Sequence, residues 1–65
     1  MKWYRVQWTH REDGRELTTV LCTRAGSVAE AKKHATRGWK TRYAGAEKTP
    51  RMCNLTIRED ASECL

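Results

Sequence analysis

The sequence predicts a small α+β domain: a β-hairpin, one helix and one or two further strands, forming an antiparallel sheet with the helix packed on one face. Three observations predict this fold. Apolar residues alternate at the start of the chain, Asp13-Gly14 is a tight-turn dipeptide, and Ser27 begins a helix-capping pattern. A chain of 65 residues has room for one domain with a small core. We place that domain at residues 1–58.

The first element is a hairpin. Tyr4, Val6 and Trp8 alternate with polar residues, as expected of a half-buried strand, and residues 17–23 are rich in apolar and β-branched side chains. With Asp13-Gly14 as the two central turn residues, the register pairs Arg11 with Glu16, Trp8 with Thr19, Val6 with Leu21 and Tyr4 with Thr23. Paired residues share a face of the sheet, so this register collects Tyr4, Val6, Trp8, Leu17 and Leu21 on one side.

The second element is a helix. Ser27 and Glu30 form a capping box, with Ser27 as the N-cap and Glu30 three residues later. Ala31 and Ala35 recur at helical spacing, and their small side chains would let the helix lie close to the sheet. Gly38 is a natural helix stop, so we expect the helix to end there.

The remaining chain predicts less regular structure. Residues 40–46 are a candidate third strand, and Thr49-Pro50 breaks the chain after it. Apolar residues alternate again in a last strand from about Met52 to Arg58. Residues 59–65 carry three acidic side chains and no basic one, and we expect this acidic tail to be flexible and to fray.

The cysteines and the hydropathy pattern indicate a cytoplasmic protein. Cys22, Cys53 and Cys64 are an odd number, whereas a secreted disulfide framework normally uses an even set, so we expect reduced thiols. The longest strictly apolar run, Val20–Cys22, is too short for a membrane span or a signal-peptide core. We therefore expect no membrane association, and a bacterial cytoplasm if the protein is phage-encoded.

No catalytic or metal-binding pattern stands out. Cys22, His10 and His34 could supply a nucleophile and a base, but their spacing does not bring them together. Small ribonuclease toxins with a double-stranded-RNA-binding-like fold have Gly-Ser-His after the first helix, whereas here Gly26-Ser27 is followed by Val28. The cysteines and histidines are too scattered for a zinc site. We expect no enzyme, no metal and no cofactor, and a small nuclease ranks third among the functions considered.

A basic segment with interspersed aromatic residues gives the clearest functional signal. Residues 32–51 contain seven basic side chains and one acidic one, Glu47. Such a segment favours binding to nucleic acid or to an acidic protein surface, with aromatic rings stacking on bases or packing against a partner. The alternative is a solvated helix face with Trp39 in the core. The candidate partner-binding residues here are Lys33, Arg37, Trp39, Lys40, Arg42 and Tyr43.

The predicted hairpin register defines a second candidate surface. On the face opposite the helix, Trp3 lies across from Arg24, and Arg5 is next along the first strand. Trp and Arg are the residues that most often anchor protein interfaces. The alternative is a Trp–Arg contact on an ordinary solvated sheet face.

The arrangement resembles a group of small accessory proteins of phages and mobile elements, several of which are anti-CRISPR proteins. The resemblance rests on Trp3–Trp8, on the Asp13-Gly14 turn, and on Ser27-Val28-Ala29-Glu30-Ala31 at the start of the helix. It implies inhibition by occupying a surface of a nucleic-acid-handling complex, without catalysis. Many members of that group are acidic DNA mimics, whereas this chain has a formal net charge of +5.

The sequence therefore leads to two functional hypotheses. In the first, the chain is a non-enzymatic binding protein that docks on a nucleic-acid-handling protein complex and modulates or inhibits it. The surface that it contacts on the partner would be acidic or would be the bound nucleic acid. In the second, the chain binds DNA or RNA directly through the same residues. The exposed edge of a small sheet also makes a homodimer an option.

Overall fold

Strand β1 lies at the centre of an antiparallel sheet in the computed structural model, which describes residues 1–64. These residues contain three strands, β1 (Lys2–Glu12), β2 (Arg15–Ala25) and β3 (Cys53–Glu59), in the order β2-β1-β3. The helix α1 (Val28–Arg42) connects β2 to β3, and a short 3-10 helix, Ser62–Cys64, follows β3. The predicted small α+β fold is confirmed.

The hairpin has the predicted register. Tyr4 pairs with Thr23, Val6 with Leu21, Trp8 with Thr19 and Arg11 with Glu16. Asp13 and Gly14 both have positive φ, 52° and 76°, as a two-residue type I′ turn requires. Because the turn fixes the register and the apolar residues alternate, local sequence alone specified this element.

The helix begins as predicted but ends later. The Oγ atom of Ser27 accepts a hydrogen bond from the backbone N–H of Glu30 at 3.2 Å. The prediction of a stop at Gly38 was wrong, as was the candidate strand at residues 40–46, because α1 continues to Arg42 and residues 43–48 form turns and bends. The extra turn of helix carries Trp39 into the core, and that burial outweighs the modest helix cost of one glycine.

The core lies between α1 and one face of the sheet. Its buried residues are Tyr4, Val6, Trp8, Ala25, Ala31, Ala35 and Trp39. The alanines of α1 pack against the sheet, and Trp39 packs against Trp8 and His10 towards the hairpin end of β1. There the Trp39 ring meets Trp8 edge-on, with centroids 5.5 Å apart. Large aromatic rings thus supply most of the core volume in a chain without phenylalanine.

Strand β3 agrees with the predicted last strand to within one residue at each end. Its pairing with β1 is less regular than that of β2, with a register shift between Gln7 and Thr9. Asn54 adopts a positive φ of 51° at this irregularity, and its amide donates a hydrogen bond to Thr9 Oγ1 at 3.0 Å.

The C-terminal segment lies against the sheet, on the face that α1 does not cover. The expectation for residues 59–65 was a frayed tail. Instead Ala61 is 2% exposed and donates its N–H to the carbonyl of Trp3 at 3.1 Å. Cys64 forms a disulfide with Cys22, with Cα atoms 5.5 Å apart. Leu65, the last residue of the predicted tail, lies outside the described residues.

The disulfide corrects the expectation of three reduced thiols. Cys53 is the free cysteine among residues 1–64, and the other two are bonded. Disulfides persist mainly in oxidising compartments, so the cysteine argument for a cytoplasmic location loses its support. Within residues 1–64, no helix has both the length and the apolar character needed to cross a membrane.

Candidate functional site

The exposed side of α1 carries a stripe of positive charge. We call Lys32, Lys33, Arg37 and Lys40 the basic face. Lys33, Arg37 and Lys40 recur at spacings of four and three, which place them on neighbouring turns of the same side of the helix, and Lys32 lies next to Lys33 at the flank of this row. Ala31, Ala35 and Trp39 are buried against the sheet and so fix the rotation of the helix. All four basic side chains therefore project into solvent.

The charge of the basic face is not compensated locally. None of its four side chains forms an ion pair with a carboxylate among residues 1–64; the ion pairs in this range involve Lys2, Arg5, His34 and Arg58. A shallow depression of about 640 Å³ lies between the basic side chains, and Ala29, Thr36 and Thr41 complete its lining. Because a single helix supplies every wall, this is an open surface and not an enclosed pocket.

The hydroxyl groups of the threonines beside the basic face form hydrogen bonds to the backbone of α1. Thr36 Oγ1 donates to the carbonyl of Lys32, and Thr41 Oγ1 donates to the carbonyl of Arg37, both at 2.9 Å. The ammonium and guanidinium groups are therefore the main donors that this surface offers to a ligand. Such donors fit phosphate or carboxylate oxygens.

Further basic residues lie beyond the end of the helix. Lys48 and Arg51 are exposed in the segment between α1 and β3. The indole N–H of Trp39 donates to the carbonyl of Pro50 at 2.8 Å, which holds this segment near the last turns of α1. Positive charge thus continues past the carboxyl end of the helix, where the helix dipole also favours it.

Arg42 is exposed but does not project from the basic face. Its guanidinium carbon lies 5.7 Å from the centre of the Trp39 ring and 6.0 Å from that of Tyr43. This geometry is a cation–π contact, so Arg42 covers the aromatic end of the core. The side chain stabilises the fold locally, while its charge still adds to the field of the surface.

Of the two aromatic residues predicted for this surface, Trp39 belongs to the core and Tyr43 packs against it. Trp39 is 3% exposed, and the centroid of its ring lies 4.7 Å from that of Tyr43. Tyr43 is half-buried, and its hydroxyl lies 3.4 Å from His10 Nε2 and 3.5 Å from Glu12 Oε1. Neither ring is presented beside Lys33, Arg37 and Lys40 for stacking on a base.

The second candidate surface is partly covered by the chain's own C-terminal segment. Trp3 lies opposite Arg24 as predicted, and it is half-buried. Arg5 donates to Gln7 Oε1 at 2.8 Å, and its Nε lies 3.8 Å from Glu63 Oε1. Glu63 also pairs with Arg58, so two guanidinium groups of this face share one carboxylate. Arg24 remains exposed there.

Cys64 and Glu63 were missed as members of this face. The register offered a signal, because it places Cys22 on the same side as Trp3, Arg5 and Arg24, away from the core. An outward-facing cysteine has no packing role there and is available to a second cysteine. Nothing in the spacing of the sequence indicated that residues 59–64 would cross β1 and bring Cys64 to Cys22.

The residues considered for catalysis are not brought together. Cys22 is bonded to Cys64. His10 is 3% exposed among aromatic rings, and its Nδ1 atom has no hydrogen-bond partner within the described part of the chain. His34 Nδ1 lies 2.9 Å from Thr23 Oγ1 and so joins α1 to β2. Across residues 1–64, no three His, Cys, Asp or Glu side chains are placed to hold a metal ion.

The ammonium group of Lys2 has a perturbed pKa. The hydrogen bond from Lys2 Nζ to Glu59 Oε1, 2.5 Å long, raises the pKa of Lys2, and the charges of Asp60 and Glu59 raise it further. The side chain is exposed, and the contact joins the start of β1 to the end of β3. It belongs to the structure of the sheet edge and lies away from the basic face.

Comparisons with known proteins give no relative. No protein-family model matches the chain, and no curated protein or solved structure matches it either.

Proposed function

We propose that this chain is a non-enzymatic binding protein that associates with a nucleic-acid-handling complex by contacting nucleic-acid phosphates through the basic face of α1. The observation that carries the proposal is the exposed, locally uncompensated charge of Lys32, Lys33, Arg37 and Lys40. Salt-sensitive contacts between Lys or Arg and phosphates supply most of the affinity of sequence-independent nucleic-acid binding.

The dimensions of the basic face suit a short run of phosphates. At a rise of about 1.5 Å per residue, the distance along the helix from Lys33 to Lys40 is about 10 Å. That length corresponds to about three base-pair steps of one strand, at about 3.4 Å each. Each protein should therefore neutralise about three or four phosphates.

The same geometry argues for weak sequence preference. The aromatic rings of Trp39 and Tyr43 are packed into the core region, and the threonine hydroxyls are bonded to the helix backbone. Lysine and arginine side chains on an open face contact the backbone of any sequence, whereas base recognition needs side chains placed against base edges. A partner complex would then supply the specificity.

A salt titration tests this proposal. Binding to fluorescein-labelled random duplex and single-stranded DNA would be followed by fluorescence anisotropy from low to physiological salt. With about three or four phosphates neutralised, the slope of log K against log salt should be about −3 to −4 for duplex. Absence of binding at the lowest salt concentration would contradict the proposal.

Matched charge reversals locate the surface. Lys33→Glu/Arg37→Glu should abolish most of the affinity. Arg11→Glu/Arg15→Glu changes the net charge equally but lies at the exposed hairpin end, away from the basic face, and should retain most of the binding. Equal losses in the two variants would mean that net charge acts without a defined surface, which would contradict the assignment to α1.

A second candidate function is docking on a protein surface as an inhibitor of the anti-CRISPR type. Its support is Trp3, which is half-buried beside a depression of about 290 Å³ near the end of β3, with exposed Arg24 opposite it. Inhibition of DNA cleavage by a panel of purified CRISPR effectors tests it. Loss of inhibition in Trp3→Ala/Arg24→Ala, but not in Lys33→Glu/Arg37→Glu, would support this candidate over the first.

A further inference from the structure

The outer edge of β2 is a long strand edge that lacks the usual protection against pairing. Within residues 1–64, β2 and β3 are the two edges of the sheet. Strand β2 is 11 residues long, pairs with β1 without a register shift, and has no charged residue between Glu16 and Arg24. Its central residues are apolar or threonine, and it contains neither proline nor glycine. Soluble monomers generally blunt such an edge with charges, bulges or proline.

The other edge shows that protection. Strand β3 has 7 residues, its pairing with β1 contains a register shift, and Asn54 has a positive φ. Arg58 adds a charge towards its end. The contrast within one sheet indicates that the two edges have different roles.

The direction of the free hydrogen-bonding groups on β2 follows from the hairpin. The pair that flanks a two-residue turn, here Glu12 and Arg15, is hydrogen bonded, and hydrogen-bonded pairs alternate from there along the strands. The odd-numbered residues of β2 therefore point their backbone N–H and C=O groups at β1. The even-numbered residues, Glu16, Thr18, Val20, Cys22 and Arg24, point theirs outward. By the same alternation, the odd-numbered residues of β1 should point their backbone groups away from β2. The hydrogen bond from the N–H of Ala61 to the carbonyl of Trp3 agrees with this.

We propose that the β2 edge binds a second copy of this chain, forming an antiparallel β2–β2 pair with its two-fold axis at Val20. In this register Val20 pairs with Val20 of the second copy, Thr18 with Cys22, and Glu16 with Arg24. All these pairs join even-numbered residues, so each outward N–H and C=O finds a partner. The whole length of β2 is used, because Arg15 then lies opposite Ala25.

Charge complementarity selects this register. Glu16 and Arg24 are the charged residues of β2 whose backbone groups point outward. In the dimer, Glu16 of each copy lies opposite Arg24 of the other, on the same face of the sheet. Shifting the pairing by two residues in either direction keeps the backbone bonds but places Arg24 opposite Thr18 or Gly14. Both charges then lose their partner, and the paired length shortens. A closed two-fold pairing also consumes both β2 edges, so that only the short, irregular β3 edges remain exposed.

The apolar side chains along β2 fit the same partner. Val20 is 45% exposed, and in the dimer it would pack against its own copy. On the helix side, Leu17 and Leu21 are only half-buried, and a groove of about 180 Å³ runs between α1 and β2 beside Gly38 and Arg42. Because paired residues keep their face, Leu21 of the second copy would lie opposite Thr19, next to this groove. Both helices would then lie on one side of a continuous sheet.

The test is the molar mass of the untagged full chain without nucleic acid, so its outcome does not depend on the proposed function. Analytical ultracentrifugation from about 1 µM to 1 mM covers dimers of ordinary to weak affinity. We expect the mass to rise from 7.6 kDa towards twice that value with concentration. A mass of one chain at every concentration would overturn the proposal.

Substitutions then test the edge and the register. Val20→Lys puts two like charges at the axis and should raise the dimer dissociation constant by at least about tenfold. Thr56→Lys, the matched control on the same face of β3, should leave the dissociation constant unchanged.

Charge reversals test the register. Glu16→Arg and Arg24→Glu should each weaken the dimer, and the double variant should restore it. Circular dichroism would establish that each variant is folded. A dimer insensitive to Val20→Lys, or one not restored in the double variant, would overturn the proposed interface.

Discussion

The indole N–H of Trp39 donates a hydrogen bond to the backbone carbonyl of Pro50 across 2.8 Å. The contact joins the last turns of α1 to the segment that leads into β3. It explains why residues 43–52 do not form another strand: this segment is held against the end of the helix by a residue that is itself buried between α1 and the sheet. One side chain therefore serves the core and the path of the connecting segment.

Replacing Trp39 tests both roles. Trp39→Phe keeps an aromatic ring in the core but removes the donor to Pro50, and it should lower the free energy of unfolding by about 1–3 kcal/mol. Trp39→Ala also removes the packing against Trp8 and should cost about 3–5 kcal/mol. Urea denaturation followed by circular dichroism measures both. Equal stability of the wild type and Trp39→Phe would show that the hydrogen bond contributes nothing net.

The disulfide between Cys22 and Cys64 should contribute substantially to stability. The bonded residues are 42 positions apart, and closing a loop of that length restricts the unfolded chain by about 4 kcal/mol in the chain-entropy description. We expect Cys22→Ser/Cys64→Ser to lower the free energy of unfolding by about 2–4 kcal/mol. Cys53→Ser, which leaves the bond intact, is the control.

A reductant provides an independent check of the disulfide. Adding it to the wild type should lower the thermal midpoint towards that of Cys22→Ser/Cys64→Ser, and it should not affect the double variant. A wild-type midpoint that does not respond, in a sample shown by mass spectrometry to be reduced, would contradict the predicted stabilisation.

Gly38 should be a site of easy stabilisation. It lies inside α1 without a positive φ, and a Cβ atom built there meets no heavy atom within 4 Å. Alanine favours a helix interior over glycine by about 0.8–1 kcal/mol, so Gly38→Ala should raise the free energy of unfolding by about that amount.

Gly14 is the matched control for this substitution. It also has open space around it, but its φ is +76°, a conformation that side-chain-bearing residues adopt at a cost. Gly14→Ala should therefore destabilise the protein by about 1 kcal/mol or more in the same denaturation experiment. If both variants shifted stability in the same direction, the backbone explanation would fail.

The Lys2–Glu59 contact should make a small contribution that depends on alkaline pH. The raised pKa of Lys2 means that the folded state holds this proton more tightly than the unfolded state. The contribution is complete below the ordinary value of 10.5 and is lost as the pH rises through the raised pKa. We expect Lys2→Gln to have a lower thermal midpoint than the wild type near neutral pH.

That difference should shrink above about pH 10.5, because the wild type loses the charged partner of Glu59 there. Comparing the two proteins at each pH cancels the titration of the other lysines and tyrosines. A difference that stays constant up to pH 11.5 would contradict the assignment to Lys2, as would one that grows.

Local patterns predicted most of the fold. The hairpin register, the N-cap at Ser27, the helix and the last strand depend on turn chemistry, capping and apolar periodicity, all of which act over a few neighbouring residues. The outward direction of Lys33 and Arg37 followed from the same periodicity, whereas that of Lys40 depends on the continuation of α1 past Gly38. These features were readable from the sequence because each has a short-range physical cause.

Tertiary structure decided the features that depend on distant contacts. The helix continued past Gly38 because burying Trp39 outweighs a local helix-breaking preference. The C-terminal segment is held on the face of the sheet opposite α1 by the Cys22–Cys64 disulfide and by the contact between Glu63 and Arg5. The segment therefore covers part of the surface around Arg5. The sequence by itself determined that the chain has a basic helix and an aromatic core. Only packing between remote residues decided that Trp39 belongs to the core and that the exposed charge of α1 is the more accessible surface.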